Sequence, residues 1–199
     1  MKKNILLVVT IVSVFLSMLS VIDSFEIYGV NLFYHYSLYS NLLGIFSGAA
    51  LFICTLRENA GQNLRMLRYV SASMMAVTVM PGLFIEMLIN YLSMDMLIWP
   101  ERVDLFRRLI CPVFVVGSYL LLEEGEPLGK SMPLLALIPT IIYGIVMVVL
   151  NVIHIVEGPS YLLMVYREEL SMLIMRGAFI LLTGYAAGVG VWRISEKQL

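Results

Sequence analysis

The stretch MPLLALIPTIIYGIVMVVLNVIHI, residues 132–155, holds no lysine, arginine, aspartate or glutamate. An α-helix rises about 1.5 Å per residue, so a run of this length covers the roughly 30 Å hydrocarbon of a bilayer. Such a helix wants apolar surroundings on every side, which predicts a membrane span. Working outward, five more apolar runs follow the same pattern, at about 4–22, 33–56, 69–92, 103–122 and 170–192. The connections are short and carry the turn formers Gly61, Pro100, Gly125, Pro127, Gly129, Gly158 and Pro159. The chain is therefore expected to be all-α, a polytopic six-transmembrane-helix bundle forming a single transmembrane domain over residues 1–199.

Composition points the same way. Of 199 residues, 60% are hydrophobic and only 14% charged, where a soluble domain carries roughly 25% charge. Mean hydropathy is +0.91. Once the apolar runs are placed, no length is left for a sizeable soluble domain. A net charge of −1, with no dense basic patch, gives no electrostatic case for nucleic acid. Cys54 and Cys111 lack metal-ligand spacing, and neither a metal nor a cofactor is expected. Six spans put these cysteines in opposite halves of the membrane, beyond the roughly 7 Å between Cα atoms that a disulfide tolerates. Met1-Lys2-Lys3 followed by an apolar run is the pattern of a signal peptide. The run Asn4–Ile22 is long for one, although Ser17 to Ser20 are small enough for cleavage, and the first helix is expected to be retained.

Orientation follows from lysine and arginine, because acidic residues count little in the positive-inside rule. One side would hold Lys2, Lys3, Arg57, Arg65, Arg68, Lys130, Arg193 and Lys197. The other would hold Arg102 and Arg167, joined by Arg107, Arg108 and Arg176 if those count as edge residues. Both termini are thus expected in the cytoplasm, and the chain in the cell (plasma) membrane as a multi-pass protein. Three spans contain an interior proline, Pro81, Pro112 and Pro139. Each lacks an amide proton and, in an α-helix, frees the carbonyl four residues earlier. Pro112 would free that of Arg108.

Glu86, Arg107, Arg108 and Arg176 fall inside these runs. A charge at membrane depth costs several kcal/mol unless paired or hydrated, and by default marks a functional position. In the six-span arrangement all four lie in the outer third, on the side where His35 opens the second span and His154 closes the fifth. Two arrangements fit. Either the arginines reach out to the headgroups and Glu86 pairs with one of them, or these groups converge on a polar chamber open to the outer leaflet. There a Glu–Arg pair would hold shape and a surplus arginine would bind a carboxylate or phosphate. Membrane lipids, and an amphipathic acyl or anionic ligand, are the partners this implies. Ser37, Asn41, Gly44 and Gly48, with Ser40 and Ser47 alongside, give the second span a small polar face. That face either packs closely against a neighbour or, from His35 to Asn41, lines the same chamber.

The stretch Phe33-Tyr-His-Tyr-Ser-Leu-Tyr-Ser-Asn-Leu-Leu43 resembles a segment opening the second helix of small six-span proteins. These are the bacterial Pr6Pr-type proteins, akin to the eukaryotic androgen-induced (AIG1-like) intramembrane hydrolases. Leu105-Phe-Arg-Arg-Leu-Ile-Cys-Pro112 is similar to their fourth-helix segment, and Ile138-Pro-Thr-Ile-Ile-Tyr-Gly144 to a pattern in the fifth. The resemblance implies a membrane-embedded ester hydrolase of serine/threonine type acting on acyl esters. It carries the nucleophilic threonine to Ser37 and the family's histidine to Arg107 or Arg108. Arginine stays protonated and cannot act as a general base. Either His35 or His154 replaces it, or the chemistry is lost and an acyl-binding chamber is kept. His35 is two residues from Ser37 and points to another helix face, which leaves His154 as the better partner. A rhomboid-type protease is excluded: the serine of Gly44-Ile-Phe-Ser-Gly48 lies in the wrong span, and the sixth span has no histidine.

Overall fold

A computed structural model describes residues 2–58, 61–92, 106–123, 127–156 and 170–197, with side chains except those of 80–92, 170 and 172. Six α-helices occupy these residues: α1 (Lys2–Tyr28), α2 (Tyr36–Leu56), α3 (Gln62–Leu92), α4 (Cys111–Leu122), α5 (Met132–Val152) and α6 (Leu170–Glu196). No strand is present among the described residues. Each expected apolar run overlaps one of the helices. Four are long and apolar enough to cross a membrane, namely α1, α2, α5 and α6. Arg102 and Arg167, used above for orientation, lie outside the described residues.

Helix ends follow local chemistry. α1 runs unbroken until Gly29, which takes a positive φ of 53° and starts a short 3-10 turn, Gly29–Tyr34. A left-handed residue there costs glycine little and closes a helix. α5 begins with Pro133 in its first turn, where a missing amide is harmless, and ends before His154 at φ 59°. Pro139 lies inside α5 and Pro81 within α3. Pro112 acts differently. A π turn over Phe106–Ile110 precedes α4, and in that register a carbonyl pairs with the amide five residues on. The carbonyl facing proline is then that of Arg107 rather than Arg108.

The buried face of α1 is small and polar rather than apolar. The buried residues of α1 are Thr10, Ser13, Ser17, Ser20 and Ser24, while Val8, Phe15, Ile22 and Phe25 face outward. α2 buries Ser37, Ser40, Asn41, Gly44, Ser47 and Gly48, with Leu38 and Leu51. These two faces meet. A Cβ on Gly48 would come within 2.6 Å of Val14 Cγ2 on α1, and one on Gly44 within 3.9 Å of Ser17 Oγ on α1 and 2.7 Å of Met75 Cε on α3. Small residues let helix backbones approach closely, the favoured packing where lipid rather than water surrounds the bundle. α3 runs beside α2, α4 and α6. An apolar cluster of Tyr69, Tyr119, Leu128, Met132 and Val191 joins α3 to α6, fastened by Tyr69 Oη donating to Gly188 O at 2.9 Å and Trp192 Nε1 to Leu128 O at 3.2 Å.

One arginine departs from expectation. Arg68, counted above among the charges flanking a span, lies inside α3 and is wholly buried. α3 starts at Gln62, nearly two turns before the expected span boundary, so Arg68 faces the bundle rather than the loop.

Candidate functional site

Three predicted site residues meet where α2 and α4 begin. Asn41 Nδ2 donates to Ser37 O at 2.7 Å and to Arg107 O at 3.3 Å. The second bond follows from the π turn, since the residue five on from Arg107 is Pro112, which has no N–H to give that carbonyl. Asn41 therefore supplies it a donor from another helix. Ser37, Asn41 and Arg107 are all buried. Asn41 Oδ1 is also buried and has no hydrogen-bond partner among the described residues.

The charge of Arg107 is held against an aromatic face. Its guanidinium carbon sits 4.8 Å from the ring centroid of Tyr28, at the end of α1. Out of water, such a contact is worth about 2 kcal/mol. Tyr28 in turn packs against His35, with ring centroids 5.0 Å apart. His35 is thus linked to Arg107 through one tyrosine. One turn along α2 from Ser37, Thr78 Oγ1 donates to Ser40 Oγ at 2.9 Å and ties α3 to the same face.

A tyrosine wall fixes the start of α2 against α5. Tyr36 Oη and Thr140 Oγ1 share a hydrogen bond of 2.8 Å, and Tyr143 Oη donates to Tyr34 O at 2.6 Å. The Tyr143 ring lies 5.2 Å from that of Tyr36 and 5.9 Å from that of Tyr39. Ile138–Gly144, singled out in the sequence, contributes Thr140 and Tyr143 to this wall.

His154 is exposed on the turn after α5. Arg108 and Arg176 are half-buried. Glu86 belongs to α3, but its side chain lies outside the described residues. Sequence reasoning missed Tyr28 and Thr78, because an aromatic or a threonine in an apolar run carries no signal of its partner. Both cysteines are free, and the described residues contain no cluster of three or more groups suited to a metal ion.

Comparison with known proteins finds no matching family model, no matching curated protein and no matching solved structure.

Proposed function

We propose that the chain is a six-span protein of the cell membrane, both termini inside, that binds a lipid-like acyl ligand at the Ser37–Asn41–Arg107 end. The observation that carries this reading is a buried arginine held by Tyr28 beside a buried amide whose Oδ1 lacks a donor among the described residues. An arginine there suits an acyl carboxylate, and Asn41 Oδ1 suits a hydroxyl or protonated head. The apolar outer faces of the helices offer the acyl tail a route from the bilayer. Kinship with the androgen-induced membrane hydrolases would make Ser37 a nucleophile and His154 its base, with Arg107 or Arg108 in place of the family histidine. The exposure of His154, against the burial of Ser37, favours binding over hydrolysis.

The test uses the purified full chain in nanodiscs with a photoreactive fatty acid. Crosslinks should fall on peptides carrying residues 28–41 and 107, and Arg107→Gln should weaken labelling about tenfold, the worth of one hydrogen bond to a charged group. Undiminished labelling in a folded Arg107→Gln variant would overturn the proposal. A fluorophosphonate that labels wild type but not Ser37→Ala would add hydrolysis to binding. Absence of that labelling in folded protein would leave binding alone.

A further inference from the structure

The opposite end of the bundle holds a different kind of space. Where α1 and α3 begin and α2 and α4 end, a cavity of about 680 Å³ opens between the helices, lined in part by Lys2, Lys3, Thr55, Glu58, Arg65 and Glu123. That volume lies within the range of small-ligand clefts, roughly 300–1,000 Å³. Two helices present their positive ends to it and two their negative ends, so the helix dipoles largely offset one another. Selection falls to the side chains.

Among the described residues, both carboxylates of the lining are engaged. Glu58 Oε1 accepts from Lys3 Nζ at 2.7 Å, and Lys3 holds the Glu58 carboxyl below its ordinary pKa. Glu123 Oε1 accepts from Arg68 Nη2 at 2.6 Å and from Arg68 Nε at 2.9 Å. Arg65 belongs to neither pair and lies beside the Tyr119 phenol. Its Nε and Nη1 are buried and have no hydrogen-bond partner among the described residues. A buried guanidinium donor without an acceptor is costly, so such a group calls for one. Lys2 places a second positive charge at the rim. The planar fork of an arginine fits two oxygens of a phosphate, and basic pockets between membrane helices are where headgroup phosphates lodge.

We propose that this cavity binds a phosphate-bearing anion, presented as the headgroup of an anionic membrane lipid, with Arg65 as its principal contact. The site is at the other end of the bundle from Ser37 and Arg107 and does not depend on the acyl-binding proposal. Occupancy would cover Cys54, which also lines the cavity, whereas Cys111 is fully buried. Cys54 is therefore a built-in reporter.

The experiment measures the rate at which a maleimide modifies Cys54 in the full chain, purified in a neutral detergent. Added phosphatidylglycerol should slow the reaction about tenfold, the scale of one charge-assisted hydrogen bond, while phosphatidylcholine should not. Protection by inorganic phosphate as well would support the same site with a soluble source. Arg65→Gln should abolish protection, and Arg57→Gln, an exposed arginine outside the cavity lining, should retain it. Equal rates in wild type with and without both anions would overturn the proposal. So would protection that survives in a folded Arg65→Gln variant, or that Arg57→Gln removes equally. Should Arg65→Gln fail to fold, Lys2→Gln at the exposed rim decides: reduced protection supports the site, and unchanged protection overturns it.

Discussion

Arg68 commits each nitrogen of its guanidinium to the bundle. Nε and Nη2 reach Glu123, Nη2 also reaches Ser118 Oγ at 2.8 Å, and Nη1 reaches Ser47 Oγ at 3.3 Å. Neither side chain of the ion pair is more than marginally exposed. Removing one partner of a buried pair strands the other charge, at about 3–5 kcal/mol. Glu123→Gln should therefore lower stability by about 3 kcal/mol, read as thermal unfolding of the detergent-solubilised chain. The double variant Arg68→Met with Glu123→Leu should recover most of that loss, since replacing a buried pair with apolar residues is often neutral. A Glu123→Gln variant as stable as wild type would show that the pair contributes little. Arg107 stood out in the sequence because it lies well inside an apolar run. Arg68 did not, because one residue of boundary error moves it between a loop and the interior, and hydropathy carries no record of Glu123 fifty-five residues away.

At the scale of elements, the contact between α1 and α2 is the informative one. The small face of α2 was legible, since Ser37, Asn41, Gly44 and Gly48 recur at helical spacing. Its partner on α1 went unread, although Thr10, Ser13, Ser17, Ser20 and Ser24 alternate at intervals of three and four. Serine scattered in an apolar run passes for tolerated polarity until the intervals are counted. The two glycines of α2 should differ in consequence. A methyl on Gly44 meets the flexible end of Met75, which can move aside. A methyl on Gly48 meets Val14, a β-branched residue fixed in its helical rotamer. Gly48→Ala should cost about 1–3 kcal/mol, the usual cost of overpacking, and Gly44→Ala clearly less. Equal melting temperatures for the two variants would contradict this account of how α2 packs against Val14 of α1 and Met75 of α3.

For the whole molecule, a six-span topology with both termini inside places the start and end of α2 on opposite faces of the membrane. Phe33 and Arg57 are both exposed and flank that helix. With Cys54 replaced by serine, Phe33→Cys should react with a membrane-impermeant maleimide on intact cells, and Arg57→Cys only after permeabilisation. Labelling of both from the same side would rule the topology out. The class of the fold was determined by the sequence alone. Hydropathy adds up along a run, whatever the rest of the chain does, so long apolar stretches declare membrane helices locally. Which helix faces meet was decided only in three dimensions. The pairing of Asn41 with the Arg107 carbonyl, the stacking of Arg107 on Tyr28 and the burial of Arg68 against Glu123 each join distant segments. Their energies exist only once the backbones are close, and no single run of residues contains them.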